Sequence, residues 1–190
     1  MPMLNAGKQI NAFLDLIAWS EGTSTSRVTK NNGYDVIVSG VDGPHSFTDY
    51  SMHPFSGGRA PIIVKEAQPV EYEADPANPT GPPKIIHGAI PELISTASGR
   101  YQITLPTWSA IKELIGAGTF SPQNQDSAAL KLLEQCNAPV AIGAGNLGLA
   151  FQRVSNTWAS FPGNLFGQGG HTADELTEAY DAIMSGKTPL

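Results

Sequence analysis

Ile10, Phe13, Leu14, Ile17 and Ala18 recur at the offsets of a single helical face, with polar residues between them. The spacing predicts an amphipathic helix with Asn5 as its N-cap and Gly22 as its stop. Then the period changes. Tyr34-Asp35-Val36-Ile37-Val38 reads as a strand, Asp42-Gly43 as a turn and Ser46-Phe47-Thr48 as the return strand of a short hairpin.

Helical spacing returns after Arg100. Pro106 fits a first turn leading to Trp108, Ile111 and Ile115, with Gly116 as terminator. Ser121-Pro122 is an N-cap followed by proline, ahead of Ala128, Ala129, Leu132, Leu133 and Cys136. Asn146 to Trp158 is another candidate helix. Thr172-Ala173-Asp174-Glu175 is a capping box before Leu176, Ala179, Tyr180 and Ile183.

Between these regions, Pro54 to Pro91 holds eight of the 15 prolines. That density forbids a long helix and confines strands to edges or short pairs. Residues 55–97 are therefore expected as a Pro-rich insertion or lip on a single domain spanning 1–190. Within the lip, Ile62-Ile63-Val64 and Lys84-Ile85-Ile86-His87 are expected to pair, with Asp75 to Pro83 as a mobile tip. The sum is an α+β fold, mainly helical, with one small antiparallel sheet.

Composition narrows the function. Lys and Arg number 11 against 17 Asp and Glu, a net charge of −6 that argues against a nucleic-acid partner. Charged residues make up only 15% of the chain, against roughly 25% in an average domain, so Ser, Thr, Asn, Gln and Gly must supply much of the surface. Such a surface suits weakly charged polar ligands such as sugars. The lone Cys136 continues the Leu132 face and reads as a small core hydrophobe, not a thiol nucleophile. His45, His53, His87 and His171 show no zinc-ligand spacing, and no phosphate-binding glycine loop occurs, so neither a metal nor a cofactor is expected. Met1 to Ile10 lacks the apolar core of a signal peptide, and Pro139 to Phe151, the most apolar later stretch, is too short to insert in a membrane.

One acidic residue is out of place. Eleven residues beyond Ile10, at about 100° per residue, the apolar stripe of the first helix arrives at Glu21. Glu21 also falls in the last turn, where the helix dipole favours a cation. Desolvation and dipole both disfavour the ionised carboxyl and raise its pKa, the condition for a general acid working near neutral pH. A slight rotation of the helix would instead leave Glu21 solvated at the rim.

The blocks around this residue carry a resemblance. Ala18-Trp19-Ser20-Glu21-Gly22-Thr23, Asn32-Gly33-Tyr34-Asp35-Val36-Ile37-Val38, Phe47-Thr48-Asp49-Tyr50-Ser51 and His53-Pro54 resemble the endolysin family of bacteriophage lambda. The likeness continues in order through Ser98-Gly99-Arg100-Tyr101-Gln102, Phe120-Ser121-Pro122, Gln125-Asp126, Ser155-Asn156-Thr157-Trp158-Ala159-Ser160 and Pro162-Gly163. It implies a lysozyme-like fold and a lytic transglycosylase that cuts the β-1,4 bond between N-acetylmuramic acid (MurNAc) and N-acetylglucosamine (GlcNAc) in bacterial peptidoglycan. In such an enzyme the residue matching Glu21 is the sole acid/base, and the product is a 1,6-anhydro sugar. The resemblance also implies residence in the host bacterial cytoplasm until a holin opens the inner membrane, then action on the periplasmic cell wall. A monomer is the default for a small lytic enzyme.

The remaining site residues follow from this frame. Glycoside hydrolases use two carboxylates. The positions where hydrolytic phage lysozymes carry their second group are Lys30 and Val36 here. Asp35 and Asp49 read first as structural, with sugar binding or orientation of Glu21 as the second choice for either, and Asp35 is taken as the candidate sugar contact. Tyr101 and Gln102 resemble an aromatic-glutamine step beside the acid, although Tyr101 also fits an ordinary core position. Tyr50 is a candidate cleft wall. Ser20, Asn156 and Trp158 are expected to support the Glu21 pocket. Two alternatives stay open: a muramidase hydrolysing the same bond, and a wall-binding module without catalysis.

Overall fold

The computed structural model describes residues 1–73, 82–163 and 170–189. Helix α1 (Lys8–Ser20) runs through the middle of the protein and buries Ala12, Phe13, Leu14, Leu16, Ile17 and Ala18. The apolar face read from the sequence is thus the buried one. Its N-terminus is built differently from the expectation: Gly7, at φ +91°, holds the cap position without a side-chain bond. Asn5 instead accepts a 3.4 Å hydrogen bond from the Gly7 amide, because the chain enters the helix through a left-handed turn.

The described residues form five further helices, α2 (Leu105–Leu114), α3 (Pro122–Gln135), α4 (Ala138–Gly143), α5 (Leu147–Val154) and α6 (Ala173–Met184), of which α3, α4 and α6 pack on α1. Thr104 and Ser121 cap α2 and α3, each followed by a proline in the first turn. Thr172 and Glu175 form the expected capping box of α6. Two readings needed the tertiary structure. The single-turn α4 is too short to show a period, and α5 stops at Val154, where the chain turns away so that the Trp158 indole can reach the Tyr101 carbonyl at 2.9 Å.

Around α1 the core is aromatic. The Phe13 ring lies 6.1 Å from Phe151, 5.9 Å from Phe161 and 6.3 Å from Tyr180, joining α1 to α5, to the chain after it and to α6. A second ring cluster, Phe120 with Trp108, His53 and Phe47, covers the other end.

Among the described residues, three two-stranded antiparallel pairs stand where a single small sheet was expected. In the first, β1 (Val36–Gly40) pairs with β2 (Gly43–Ser46): the expected hairpin is present, but its first strand begins two residues late because Tyr34 and Asp35 lie in a turn, and its return strand ends at Ser46, with Phe47 and Thr48 outside it, because the chain turns back directly at Gly43. In the lip, β3 (Ile62–Lys65) pairs with β6 (Leu93–Ser95), and β4 (Glu71–Glu73) with β5 (Lys84–His87). This corrects the expected pairing of Ile62-Ile63-Val64 with Lys84–His87. In a hairpin, residues equally distant from the tip must face each other, and Ile62 is too far out to meet Lys84. Reciprocal bonds between Gln68 and Ile90, at 2.8 and 3.0 Å, fuse the two pairs into one long ribbon. Most of the Asp75 to Pro83 tip lies outside the described residues. Among the described residues no helix is long and apolar enough to cross a membrane.

Candidate active site

Glu21 occupies the C-cap of α1, and Gly22, at φ +68°, turns the chain away immediately after it. The side chain is half-buried, not at a solvated rim. Ser160, in the segment after α5, donates a 2.7 Å hydrogen bond from Oγ to Glu21 Oε1. Loss of water around the carboxyl is the dominant influence and raises its pKa above the ordinary value; hydrogen bonds from the Ser160 hydroxyl and backbone oppose this without cancelling it. Asp42, Asp49 and Glu175 are displaced the other way, each by hydrogen bonds.

The hydroxyl pair behind Glu21 suits a group that changes protonation state. Ser20 Oγ lies 3.0 Å from Ser160 Oγ and 3.0 Å from the Ile17 carbonyl. When Glu21 is ionised, Ser20 can donate to Ser160 and Ser160 to the carboxylate. When Glu21 is protonated, both hydroxyls can reverse, ending on the Ile17 carbonyl, so no buried donor is stranded in either state.

A tight turn completes this side of the protein. Ser98 and Ile103 exchange backbone hydrogen bonds of 3.1 and 2.9 Å, and the Gly99 amide donates to the Val36 carbonyl of β1 at 2.7 Å. Gly99 sits at φ +75°, and a Cβ there would collide with the Gln125 amide, whose Oε1 accepts from the Arg100 amide at 2.9 Å. Thr23, two residues after Glu21, places its hydroxyl 2.6 Å from the Arg100 carbonyl and 3.0 Å from that of Ala18. The end of α1 is thereby tied to the turn carrying Tyr101 and Gln102.

Tyr101 and Asp35 are both interior, which agrees with the core reading of Tyr101 and the structural reading of Asp35 and not with a sugar contact. Tyr101 is fully buried, its hydroxyl donating to Asp126 at 2.7 Å beside that of Tyr34 at the same distance. Asp35 is buried too, accepting from the Thr29 hydroxyl at 2.5 Å and the Lys30 amide at 2.7 Å. Both of its oxygens are spent on folding the 29–35 loop. Asp49 is exposed and accepts from the Ser51 amide at 2.8 Å.

The other expected residues divide. Gln102 remains half-buried at φ +47°, its amide donating to the Gly99 carbonyl at 3.0 Å. Tyr50 is half-buried and accepts from Asn31 Nδ2 at 2.9 Å. Ser20 stands in contact with Ser160, and the buried Trp158 braces the Tyr101 turn. Asn156, by contrast, is exposed, because the turn after α5 points it outward. Ser160 was the residue missed. It lies within the Ser155 to Ser160 block quoted above, but only the tertiary contact singles it out.

A mainly helical α+β protein whose central helix ends in a desolvated carboxyl falls in the lysozyme-like class. Comparison with known proteins makes this specific: the chain belongs to the Endolysin family, whose model matches residues 11–187, and it is thus a lysozyme-like, peptidoglycan-degrading phage enzyme. It is similar to the endolysin of Escherichia phage P2, with 39% identity over 95% of both chains. It is also similar to that of Escherichia phage lambda, with 38% identity over 92% of this chain and 90% of the other. A solved structure of bacteriophage lambda lysozyme complexed with a chitohexasaccharide superposes with a TM-score of 0.73 and 36% identity, covering 98% of this chain and 99% of that one. A second structure of lambda lysozyme gives 0.68 and 35% over the same shares.

Proposed function

We propose that this endolysin is a lytic transglycosylase that cleaves the β-1,4 MurNAc–GlcNAc bond of bacterial peptidoglycan with Glu21 as its only acid/base. The observation that carries the reading is the setting of Glu21: loss of water holds its carboxyl above the ordinary pKa, and the Ser160 hydroxyl donates to it at 2.7 Å. Hydrolysis in the usual scheme needs a second carboxylate within about 5 to 10 Å, to attack the sugar or to activate water. Asp35, the nearest candidate by sequence, is committed to its own loop.

Protonated Glu21 gives its proton to the glycosidic oxygen, and the bond from MurNAc C1 to that oxygen breaks with positive charge building at C1. The GlcNAc fragment leaves with a free 4-hydroxyl. Glu21, now ionised, takes the proton of the MurNAc C6 hydroxyl, whose oxygen attacks C1 and closes the 1,6-anhydro ring. Glu21 ends protonated, as it began, and no water is consumed. The hydroxyl pair Ser160 and Ser20 follows each change of charge without moving heavy atoms.

The substrate class is supported by the chitohexasaccharide held by the related lambda lysozyme. Gln102 and Tyr50 are proposed to contact the glycan, one through an amide that both donates and accepts, the other through its half-buried ring. The proposed cellular course is accumulation in the host cytoplasm as a monomer, release by a holin, and action on the wall from the periplasm.

Mass spectrometry of muropeptides released from purified sacculi tests the reading. Ends one water lighter than the hydrolysis product are expected. Reducing MurNAc ends would establish a muramidase instead, and release of nothing would leave a wall-binding module.

A further inference from the structure

We propose that Gly170 and His171 form a strap that fixes the direction of the Glu21 carboxyl, with His171 a positioning residue acting through Ser160. The inference rests on Glu21 being the acid, and it assigns a role to a segment outside the lytic site described above.

The geometry forms a closed circuit. The His171 amide donates to the Ser160 carbonyl at 3.0 Å. Its imidazole stacks on Trp19, with ring centroids 4.5 Å apart and planes inclined by 29°. Trp19 lies in the last turn of α1, two residues before Glu21, and the Ser160 hydroxyl returns to Glu21 at 2.7 Å. A path from α1 through Trp19, His171 and Ser160 therefore returns to α1 at the carboxyl.

Gly170 allows the close approach. A Cβ at this position would lie 2.6 Å from the Ser160 carbonyl oxygen and 3.2 Å from that of Ala159, both backbone atoms that cannot swing aside. Any larger residue must push the strap off Ser160. Glu175 Oε2 lies 3.9 Å from His171 Nδ1, but it is held by the Thr172 amide at 2.7 Å in the capping box of α6. Glu178 and Lys187 line the same cavity of about 370 Å³ beside the ring. His171 is thus held by its amide on Ser160 and by its ring on Trp19, the two attachments that the strap requires.

Misdirecting a catalytic group by about an ångström costs on the order of a hundredfold in rate, so even a partial release of Ser160 is measurable. The hydrogen bond from Ser160 favours the ionised form of Glu21, and losing it raises the pKa.

The test combines a side-chain ¹³C NMR titration of Glu21, its signal assigned by its loss in Glu21→Gln, with kcat and KM on solubilised glycan strands. His171→Ala and Gly170→Ala should move the Glu21 titration and the high-pH limb of kcat upward, as Ser160→Ala does. They should lower kcat roughly tenfold or more while leaving KM unchanged. His171→Phe, which keeps both the stack and the backbone amide, should restore both readouts. Trp19→Leu removes the stack from the other side and is read the same way if His171→Ala does not fold. An unmoved Glu21 titration in His171→Ala and Gly170→Ala, or a His171→Phe protein as impaired as His171→Ala, would overturn the strap. Activity in Glu21→Gln would instead overturn the assignment of Glu21, and the titration would still decide the strap.

Discussion

Ser160 and Glu21 are 139 residues apart in the chain, yet the serine hydroxyl sits 2.7 Å from the carboxyl. The first helix places Glu21 at its end, and the last third of the chain supplies its hydrogen-bond partner. A carboxyl so placed is held against its own solvation preference, and that conflict leads to measurable consequences.

Glu21→Gln keeps the shape and the Ser160 contact while removing the titrating proton. Lysis should disappear with the circular dichroism spectrum unchanged. The stability profile has a definite sign: a carboxyl whose pKa is raised by folding costs nothing below its ordinary value, and the cost grows as pH rises from there through the folded pKa. Denaturation midpoints of the parent protein should therefore fall relative to Glu21→Gln above about pH 4.5, and the two should converge below it. A constant offset at every pH would contradict a desolvated Glu21.

The same sign governs catalysis. The acid must enter the reaction protonated, so kcat/KM on glycan strands should decline as pH rises through the elevated pKa of Glu21. A rate that stays level well into the alkaline range would point to a different proton donor.

Tyr101→Phe separates the interior role of this tyrosine from a sugar contact. It removes a buried hydroxyl from the Asp126 carboxyl and should cost about 1.5–3 kcal/mol of stability. Turbidity loss per folded molecule should be unchanged. A selective rise in KM with stability intact would restore the substrate contact.

Asp15 holds the buried Arg100 guanidinium at 2.5 Å, and Arg100 is only 2% exposed. Asp15→Ala leaves that cation buried without its counterion and should cost about 3–5 kcal/mol in chemical denaturation. Because Arg100 lies next to Tyr101, some loss of activity should accompany it. A change below about 1 kcal/mol would mean that the Tyr34 and Tyr101 ring faces suffice for the guanidinium.

The lip ribbon should be removable. No described residue between Glu66 and Glu92 is buried, and a two-stranded ribbon adds little stability by itself. Replacing Ala67 through Pro91 with Asn-Gly should leave the thermal midpoint within a few degrees. A collapse of folding would show that the ribbon supports the core.

What was legible in the sequence was what local chemistry decides. The apolar face of α1, the proline starts of α2 and α3, the capping box of α6 and the β1–β2 hairpin all rest on residues a few positions apart. The position of Glu21 on that apolar face was legible for the same reason. The tertiary structure decided everything that depends on distant partners. It buried Tyr101 against Asp126, spent Asp35 on its own loop, turned Asn156 outward, set the ribbon register by distance from the tip and brought Ser160 onto Glu21. Periodicity gives the direction of a side chain within its own element. Which group meets it there is fixed by how elements pack, and packing depends on contacts between residues far apart in the chain.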